Sequence, residues 1–243
     1  MSNLFYTKNL EADSFALEGD EFVHLTQVLR RNSGDQVAFT DGRGTRALGE
    51  LVKMDRRSAQ IQILSRQQSA QRKPYHIHLA VAPTKNMDRF EWFLEKSTEI
   101  GIDAITPIWC KHSERLTLRP ERLEKVMLSA MKQSQQSFLP MLHPAISFDA
   151  FMAQPSTWPE ARFIGYVEAV QQVPSLYSSY PEGQNALMLI GPEGDFSSVE
   201  VQQALAAGFR MVHLGHNRLR TETAALAAVH TFALKNESAL WNP

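Results

Sequence analysis

The sequence predicts an α/β protein in which a small, mostly β N-terminal domain precedes a larger domain built on a largely parallel sheet. Three observations carry this. Short apolar stretches punctuated by turn residues fill residues 36–64. A polar tract, Ser65–Pro74 (SRQQSAQRKP), follows and reads as a linker. Beyond it, strand-length apolar runs alternate with helix-length segments, the rhythm of βα units. The chain has 243 residues, 43% hydrophobic and 21% charged, enough for a sizeable core in one large or two unequal domains.

Taken in order, Asp20–Leu29 reads as a helix with Phe22, Val23, Val28 and Leu29 apolar. Gln36–Thr40 is a strand, and Asp41-Gly42-Arg43-Gly44 after it is a turn cluster suited to a hairpin. Ala47–Val52 and Ala59–Leu64 are further strands. The second sets Ala59, Ile61 and Ile63 against Gln60, Gln62 and Leu64, the period of a half-buried strand. After the linker, His76–Ala82 is a buried strand. Arg89–Ile100 is a helix that Gly101 terminates. Ala104–Trp109 is a strand and Glu121–Phe138 a long helix ending near Pro140. Phe163–Val167 and Ala186–Ile190 are strands. Ser197–Ala207 is a helix in which Ser197 and Glu200 have the spacing of a capping box. Met211–Leu214 is the last strand and Glu222–Leu234 the last helix.

Composition excludes several classes. The N-terminus has no basic segment followed by an apolar run, so a secretory signal is not expected. No run approaches the ~18 apolar residues of a membrane span. One cysteine, Cys110, rules out an intramolecular disulfide and points to a reducing, cytoplasmic location. Cys110 itself reads as a small buried hydrophobe. The net charge of −1 is not that of a strongly basic nucleic-acid binder, yet residues 30–73 hold ten Lys/Arg against four Asp/Glu. That asymmetry suits an RNA-facing N-terminal part, or equally an ordinary solvated face.

Two loops carry the candidate chemistry. Leu189-Ile190-Gly191-Pro192-Glu193-Gly194 takes a buried strand into a glycine-bounded loop before a capped helix. His213-Leu214-Gly215, then Asn217-Arg218-Leu219-Arg220-Thr221-Glu222, does the same between the last strand and the last helix. Ligands of open α/β sheets sit beyond the carboxyl ends of the strands. Each loop taken alone is also compatible with a plain strand-to-helix turn. A phosphate-binding loop ending in Gly-Lys-Ser/Thr, a G-x-G-x-x-G fingerprint and a G-x-S-x-G elbow are all missing from the sequence. His76 and His78 share a strand face but have no third ligand nearby, so no metal is expected.

At these loops the chain resembles the RsmE-type ribosomal RNA uridine-N3 methyltransferases of the SPOUT superfamily. The likeness includes His24, Val28-Leu29-Arg30, Gly34-Asp35 and Asp41-Gly42. It continues through Lys85, Glu91-Trp92, Lys96, Glu99-Ile100-Gly101, Ile105, Pro107, Gln133-Ser134 and Pro140. Its most specific parts are Leu189–Gly194 and Leu219-Arg220-Thr221-Glu222-Thr223-Ala224. Asp195 stands where the family usually has glycine. Asn217-Arg218-Leu219-Arg220 replaces Arg-Ile-Leu-Arg, and Gln136 replaces an arginine.

The resemblance implies a PUA-like β-barrel domain over 1–70 and a SPOUT domain over 74–243 with a C-terminal deep trefoil knot. It implies S-adenosyl-L-methionine held by Leu189, Ile190, Gly191, Pro192, Glu193, Gly194, His213, Leu214, Gly215, Asn217, Leu219 and Arg220. It implies a homodimer acting on 16S rRNA of the small ribosomal subunit. Arg220, Glu222 and Glu193 are the expected catalytic residues, Arg220 to stabilise charge and either glutamate as base. Arg30, Arg31, Arg43, Lys85 and Gln133 are expected at the RNA, and Arg46, Arg56 and Arg57 extend the basic segment. A non-catalytic RNA-binding or assembly protein on the same fold, a methyltransferase of another RNA, and a nucleotide-dependent hydrolase using Gly191–Gly194 remain as alternatives. The missing phosphate-loop lysine speaks against the last.

Overall fold

A computed structural model of the chain describes residues 3–68, 72–155, 158–166 and 173–237. The chain groups into two compact units, residues 1–72 with 128–139, and residues 73–127 with 140–243.

The first unit contains β1 (Leu4–Tyr6), β2 (Ser14–Glu18), α1 (Gly19–Val23), β3 (Gln36–Thr40), β4 (Thr45–Met54) and β5 (Ser58–Gln68). They form one sheet in the order β1-β3-β4-β5-β2. β1 runs parallel to β3 and the other neighbours are antiparallel. Alternation puts Ala59 and Ile61 inside, where they meet Phe5, Phe15, Leu25, Phe39 and Leu51.

Three expectations change here. The helix read over Asp20–Leu29 is α1 followed by a π-helical turn, His24–Val28, with Leu29 N–H reaching His24 O at 3.1 Å. The tract read as a linker begins as strand: Ser65 to Gln68 pair with Leu48 to Thr45. Backbone pairing needs no apolar side chains, so polarity concealed the strand. Its residues 69–71 lie outside the described residues. β1 and β2 are short, and the sequence reading passed over both.

The second unit contains β6 (Ile77–Val81), α2 (Met87–Ile100), β7 (Ala104–Trp109) and α3 (Pro120–Gln133), whose last residues group with the first unit. It continues with β8 (Met141–Leu142), β9 (Ile146–Ser147), α4 (Phe148–Met152), β10 (Ala161–Gly165) and α5 (Leu176–Ser179). It ends with β11 (Ala186–Ile190), α6 (Ser198–Ala206), β12 (Arg210–Val212) and α7 (Thr221–Lys235). The sheet order is β12-β10-β11-β6-β7-β8, with β9 also on β7, and every pairing is parallel.

All of β11 is buried, as expected of a strand covered on both faces. Each such Leu, Ile or Met contributes about 1.5–3 kcal/mol by leaving water. Asn86 caps α2 by accepting from Asp88 N–H at 3.0 Å. Gly101, at φ +99°, closes it in the left-handed conformation that the sequence predicts. The strand read over Phe163–Val167 is β10, two residues earlier, and Val167 lies outside the described residues.

The long helix read to Phe138 stops five residues sooner, at Gln133. Gln135 turns the chain at φ +57°. Ser137 O then accepts from Gly44 N–H at 2.8 Å, and Leu139 N–H donates to Gly42 O at 2.9 Å. Pairing with the β3–β4 hairpin competes with helix continuation and wins. It depends on Gly44, where a Cβ would lie 2.5 Å from Phe138 Cζ. Among the described residues, no helix is long and apolar enough to cross a membrane.

Candidate functional site

β10, β11 and β12 run parallel, so their carboxyl ends reach one edge of the sheet. The loops that leave them enclose a cleft of about 370 Å³. Gly165 and Tyr166 contribute from the end of β10. Ile190, Gly191, Pro192, Glu193 and Asp195 come from β11 and its loop. Val212, His213, Leu214, Gly215, Asn217, Arg218, Leu219 and Arg220 come from β12 and its loop, and Thr221 and Ala224 from the start of α7.

The loop after β11 is held from several sides. Glu200 is buried, and its carboxylate accepts from Ser197 N–H, Ser197 Oγ and Lys111 N–H, each at 2.8 Å. Ser197 Oγ in turn accepts from Glu200 N–H, which completes the predicted capping box. A Cβ on Gly191 would meet the Phe196 ring at 3.1 Å, so glycine is what lets that ring pack there. Asp195, where the related family has glycine, takes φ +60°. His112 Nδ1 lies 3.1 Å from the carbonyls of both Gly194 and Asp195.

Glu193 is exposed at the mouth, and its Oε1 accepts from Lys85 N–H at 2.9 Å. Lys85 Nζ pairs with Glu114 at 2.6 Å, and that carboxylate raises the ammonium pKa. Burial pushes the Cys110 thiol far above the ordinary range, so it stays protonated and inert.

The loop after β12 is open by contrast. Gly215 takes φ +137°, with nothing within 4 Å of a Cβ there. Its N–H donates to His213 Nδ1 at 3.2 Å. Arg220 occupies the N-cap position of α7 and makes no side-chain cap. Thr221 Oγ1 donates to Gly191 O at 3.1 Å and joins the two loops.

Most sequence-predicted positions therefore meet in one place, but three do not line the cleft. Leu189 is fully buried among Ile164, Leu187 and Phe209, because strand alternation turns it into the core. Gly194 faces His112. Glu222, named as a possible base, points elsewhere: successive helix positions turn by about 100°, so Thr221 and Ala224 face the cleft. Glu222 lies 3.8 Å from Arg89 Nε, and its buried Oε2 has no hydrogen-bond partner among the described residues. Gly165, Tyr166, Asp195, Val212, Thr221 and Ala224 line the cleft without having been named as cofactor or catalytic residues. The rule that pointed to the other two strand ends applied to β10 as well.

In the first unit, Arg30, Arg43, Arg56, Arg57 and Gln133 are exposed, and Arg31 approaches Asp35 at 4.0 Å. Arg46 departs from the expectation. Its guanidinium donates to Ser137 Oγ at 2.7 Å and to Gln135 O, so it is engaged inside the unit.

His78 is half-buried, with its Nε2 2.8 Å from Thr106 Oγ1. Burial, then His143 and His76, lower its pKa to about 3, which keeps it neutral. Among the described residues, no group of three or more His, Cys, Asp or Glu is placed to hold a metal.

This geometry is shared with known proteins. A family model described as an RNA methyltransferase domain matches residues 71–233, and one described as an RNA methyltransferase PUA domain matches residues 17–64. Ribosomal RNA small subunit methyltransferase E of Bacillus subtilis (strain 168) is 26% identical over 93% of this chain and 92% of its own length. The crystal structure of a probable rRNA methyltransferase from Porphyromonas gingivalis is 40% identical, with a TM-score of 0.90 over 98% of this chain and 99% of that one. Ribosomal RNA small subunit methyltransferase E from Neisseria gonorrhoeae, solved with S-adenosyl methionine bound, is 27% identical, with a TM-score of 0.81 over 99% and 98% of the two chains. The match over residues 71–233 takes in most of the sequence, and the chain belongs to this RNA methyltransferase family.

Proposed function

We propose that this protein transfers a methyl group from S-adenosylmethionine to N3 of a uridine in 16S rRNA of the small ribosomal subunit. The observation that carries the reading is the start of α7. Its first turn opens into the cleft without a side-chain cap, beside Arg220.

The cleft residues fit the cofactor. A volume of about 370 Å³ lies within the ~300–1,000 Å³ usual for small-molecule sites. Ile190, Val212, Leu214 and Leu219 give apolar walls for a flat base. Asp195 and Arg218 bring both signs of charge to a zwitterionic amino-acid group. When bound, S-adenosylmethionine supplies an electrophilic methyl group.

The chain's own residues do the rest. Uracil N3 is nucleophilic only once its proton leaves, and the base must be unpaired or extruded to expose it. Glu193 is the better placed of the two glutamates. Oε1 is fixed by Lys85 N–H, which leaves Oε2 to take the N3 proton. Negative charge then grows on the uracil carbonyl oxygens. The Arg220 guanidinium and the positive end of α7, which no N-cap side chain closes, oppose it in place.

Arg30, Arg31, Arg43, Lys85 and Gln133 contact RNA, the cations at phosphates, and so position the strand without reading its sequence. The reading carries with it a PUA-like barrel over 1–70, a methyltransferase domain over 74–243 with a deep trefoil knot, a homodimer and a cytoplasmic location. What supports it is the match to RNA methyltransferase and PUA models, and the likeness to the Bacillus and Neisseria enzymes.

The test is methyl transfer from labelled S-adenosylmethionine to small ribosomal subunits lacking the modification, read by nucleoside mass spectrometry. Label in N3-methyluridine is expected. Label in another nucleoside overturns the target. Cofactor binding without transfer to any RNA favours the non-catalytic alternative.

A further inference from the structure

A second cavity, also of about 370 Å³, lies in the same unit between the start of α2, the segment after β7 and the start of α3. Its walls include Asp88, Glu91, Arg115, Arg119 and Arg122. We propose that this cavity holds one phosphate of the RNA strand beside the target nucleotide, gripped by Arg115 and Arg119. The inference rests on the function proposed above and adds a binding site to it.

The charges decide which arginines are available. Arg122 and Glu91 form a two-point pair, Nε to Oε1 at 2.6 Å and Nη2 to Oε2 at 2.8 Å, so each neutralises the other. That leaves Asp88 against Arg115 and Arg119, a surplus of one positive charge. A phosphodiester carries one negative charge, so the two match. The Arg119 side chain makes no hydrogen bond or ion pair among the described residues. Arg115 donates only through Nε, to Lys85 O at 3.1 Å, which fixes the guanidinium and leaves its terminal nitrogens free. A planar guanidinium held at one edge is pre-organised to bind a phosphate through the other.

Lys85 also sets the location. Its carbonyl accepts from Arg115, and its N–H donates to Glu193, which lines the methyl-transfer cleft. One residue thus separates the arginine of the second cavity from the carboxylate of the first. An RNA strand that places a base at Glu193 passes its backbone within reach of Arg115. Arg115 and Arg119 come from a segment far from both cleft loops in sequence, and nothing in their spacing marked them.

The experiment compares wild type with Arg119→Ala, Arg115→Lys and the Arg115→Ala/Arg119→Ala double variant, using small-subunit RNA. Affinity against salt, kcat and KM for methyl transfer, and cofactor affinity by calorimetry are measured. The double variant is expected to raise KM for RNA about 10-fold and to lower the salt slope by about 1. Cofactor affinity and kcat are expected to stay within about twofold. Arg115→Lys should recover part of the affinity, because it keeps the charge and loses the fork. Arg119→Ala breaks no hydrogen bond or ion pair among the described residues, and an unchanged melting temperature shows that its weaker RNA binding is not misfolding. An unchanged KM and salt slope in Arg119→Ala and in the double variant overturns the phosphate site while leaving the methyl-transfer reading intact. If wild type itself transfers no methyl group, that reading fails. The salt slope then still judges the cavity: a reduced slope in the variants retains it, and an equal slope removes it.

Discussion

The two helices that begin at the cleft start in opposite ways. α6 is sealed: Ser197 and Glu200 cap each other, and Glu200 reaches on to Lys111 N–H. α7 is open: Arg220 stands where a capping Ser, Thr, Asp or Asn would be preferred, and no side chain closes the turn. Both follow a parallel strand and a glycine-containing loop. The difference assigns them different work. The first loop is fixed by internal hydrogen bonds and holds Glu193 at the mouth, and the second offers exposed cations and a first helical turn that its N-cap side chain leaves uncapped.

The sharpest break between them is a crossed pair of substitutions. Arg220→Ala is expected to lower kcat by about 10²–10³, the usual loss when one donor to a developing anion is removed. Cofactor affinity should change little. Its melting temperature should hold, since the Arg220 guanidinium has no hydrogen-bond or ion-pair partner among the described residues. Steady-state kinetics, calorimetry and thermal unfolding measure the three quantities. Equal losses in turnover and cofactor affinity would make Arg220 a binding residue and remove the distinction drawn for the second loop.

Glu200→Ala should behave in the reverse manner. It removes the acceptor of three hydrogen bonds and leaves the buried Ser197 N–H and the part-buried Lys111 N–H without it. The expected loss is about 2–4 kcal/mol in unfolding free energy, from the lost cap and the orphaned donors. Denaturant unfolding reads it directly. Activity per folded molecule should stay near wild type, because Glu200 is outside the cleft lining. A stable Glu200→Ala variant with low turnover would show that this cap is needed to hold Glu193 in place for the chemistry.

How much of this was legible follows from the range of each interaction. The capping box, the Gly101 stop and the β11 strand were readable because each is decided within a few residues. The two cleft loops were readable because parallel strands leave their carboxyl ends on one edge. The end of α3 was not, because the competitor for Ser137 and Leu139 is a hairpin some ninety residues earlier. The strand hidden in Ser65–Gln68 was missed for a similar reason: backbone pairing leaves no pattern in side chains. Glu222 was placed wrongly relative to the cleft because sequence adjacency to Arg220 and Thr221 says nothing about which way a helix turns it. Arg46 looked like one more cation in a basic segment, and only the fold gave it Ser137 and Gln135 as partners.

The smallest expected effect tests how rigid the first loop is. Asp195 holds φ +60°, a conformation that costs an L-residue other than glycine roughly 1 kcal/mol, less for Asp and Asn. Its Oδ1 accepts from Phe196 N–H at 2.8 Å, which offsets part of that cost. Asp195→Gly removes the strain and the hydrogen bond together, and it adds backbone freedom to the unfolded chain. The three terms nearly cancel, so unfolding free energy should move by less than about 0.5 kcal/mol. The cleft, however, loses a negative charge at its rim. If that charge helps hold the ammonium of the cofactor, calorimetry will show weaker cofactor binding with stability unchanged. Unchanged binding would mean that the aspartate serves only to shape the turn, and that the first loop meets the cofactor through its backbone alone.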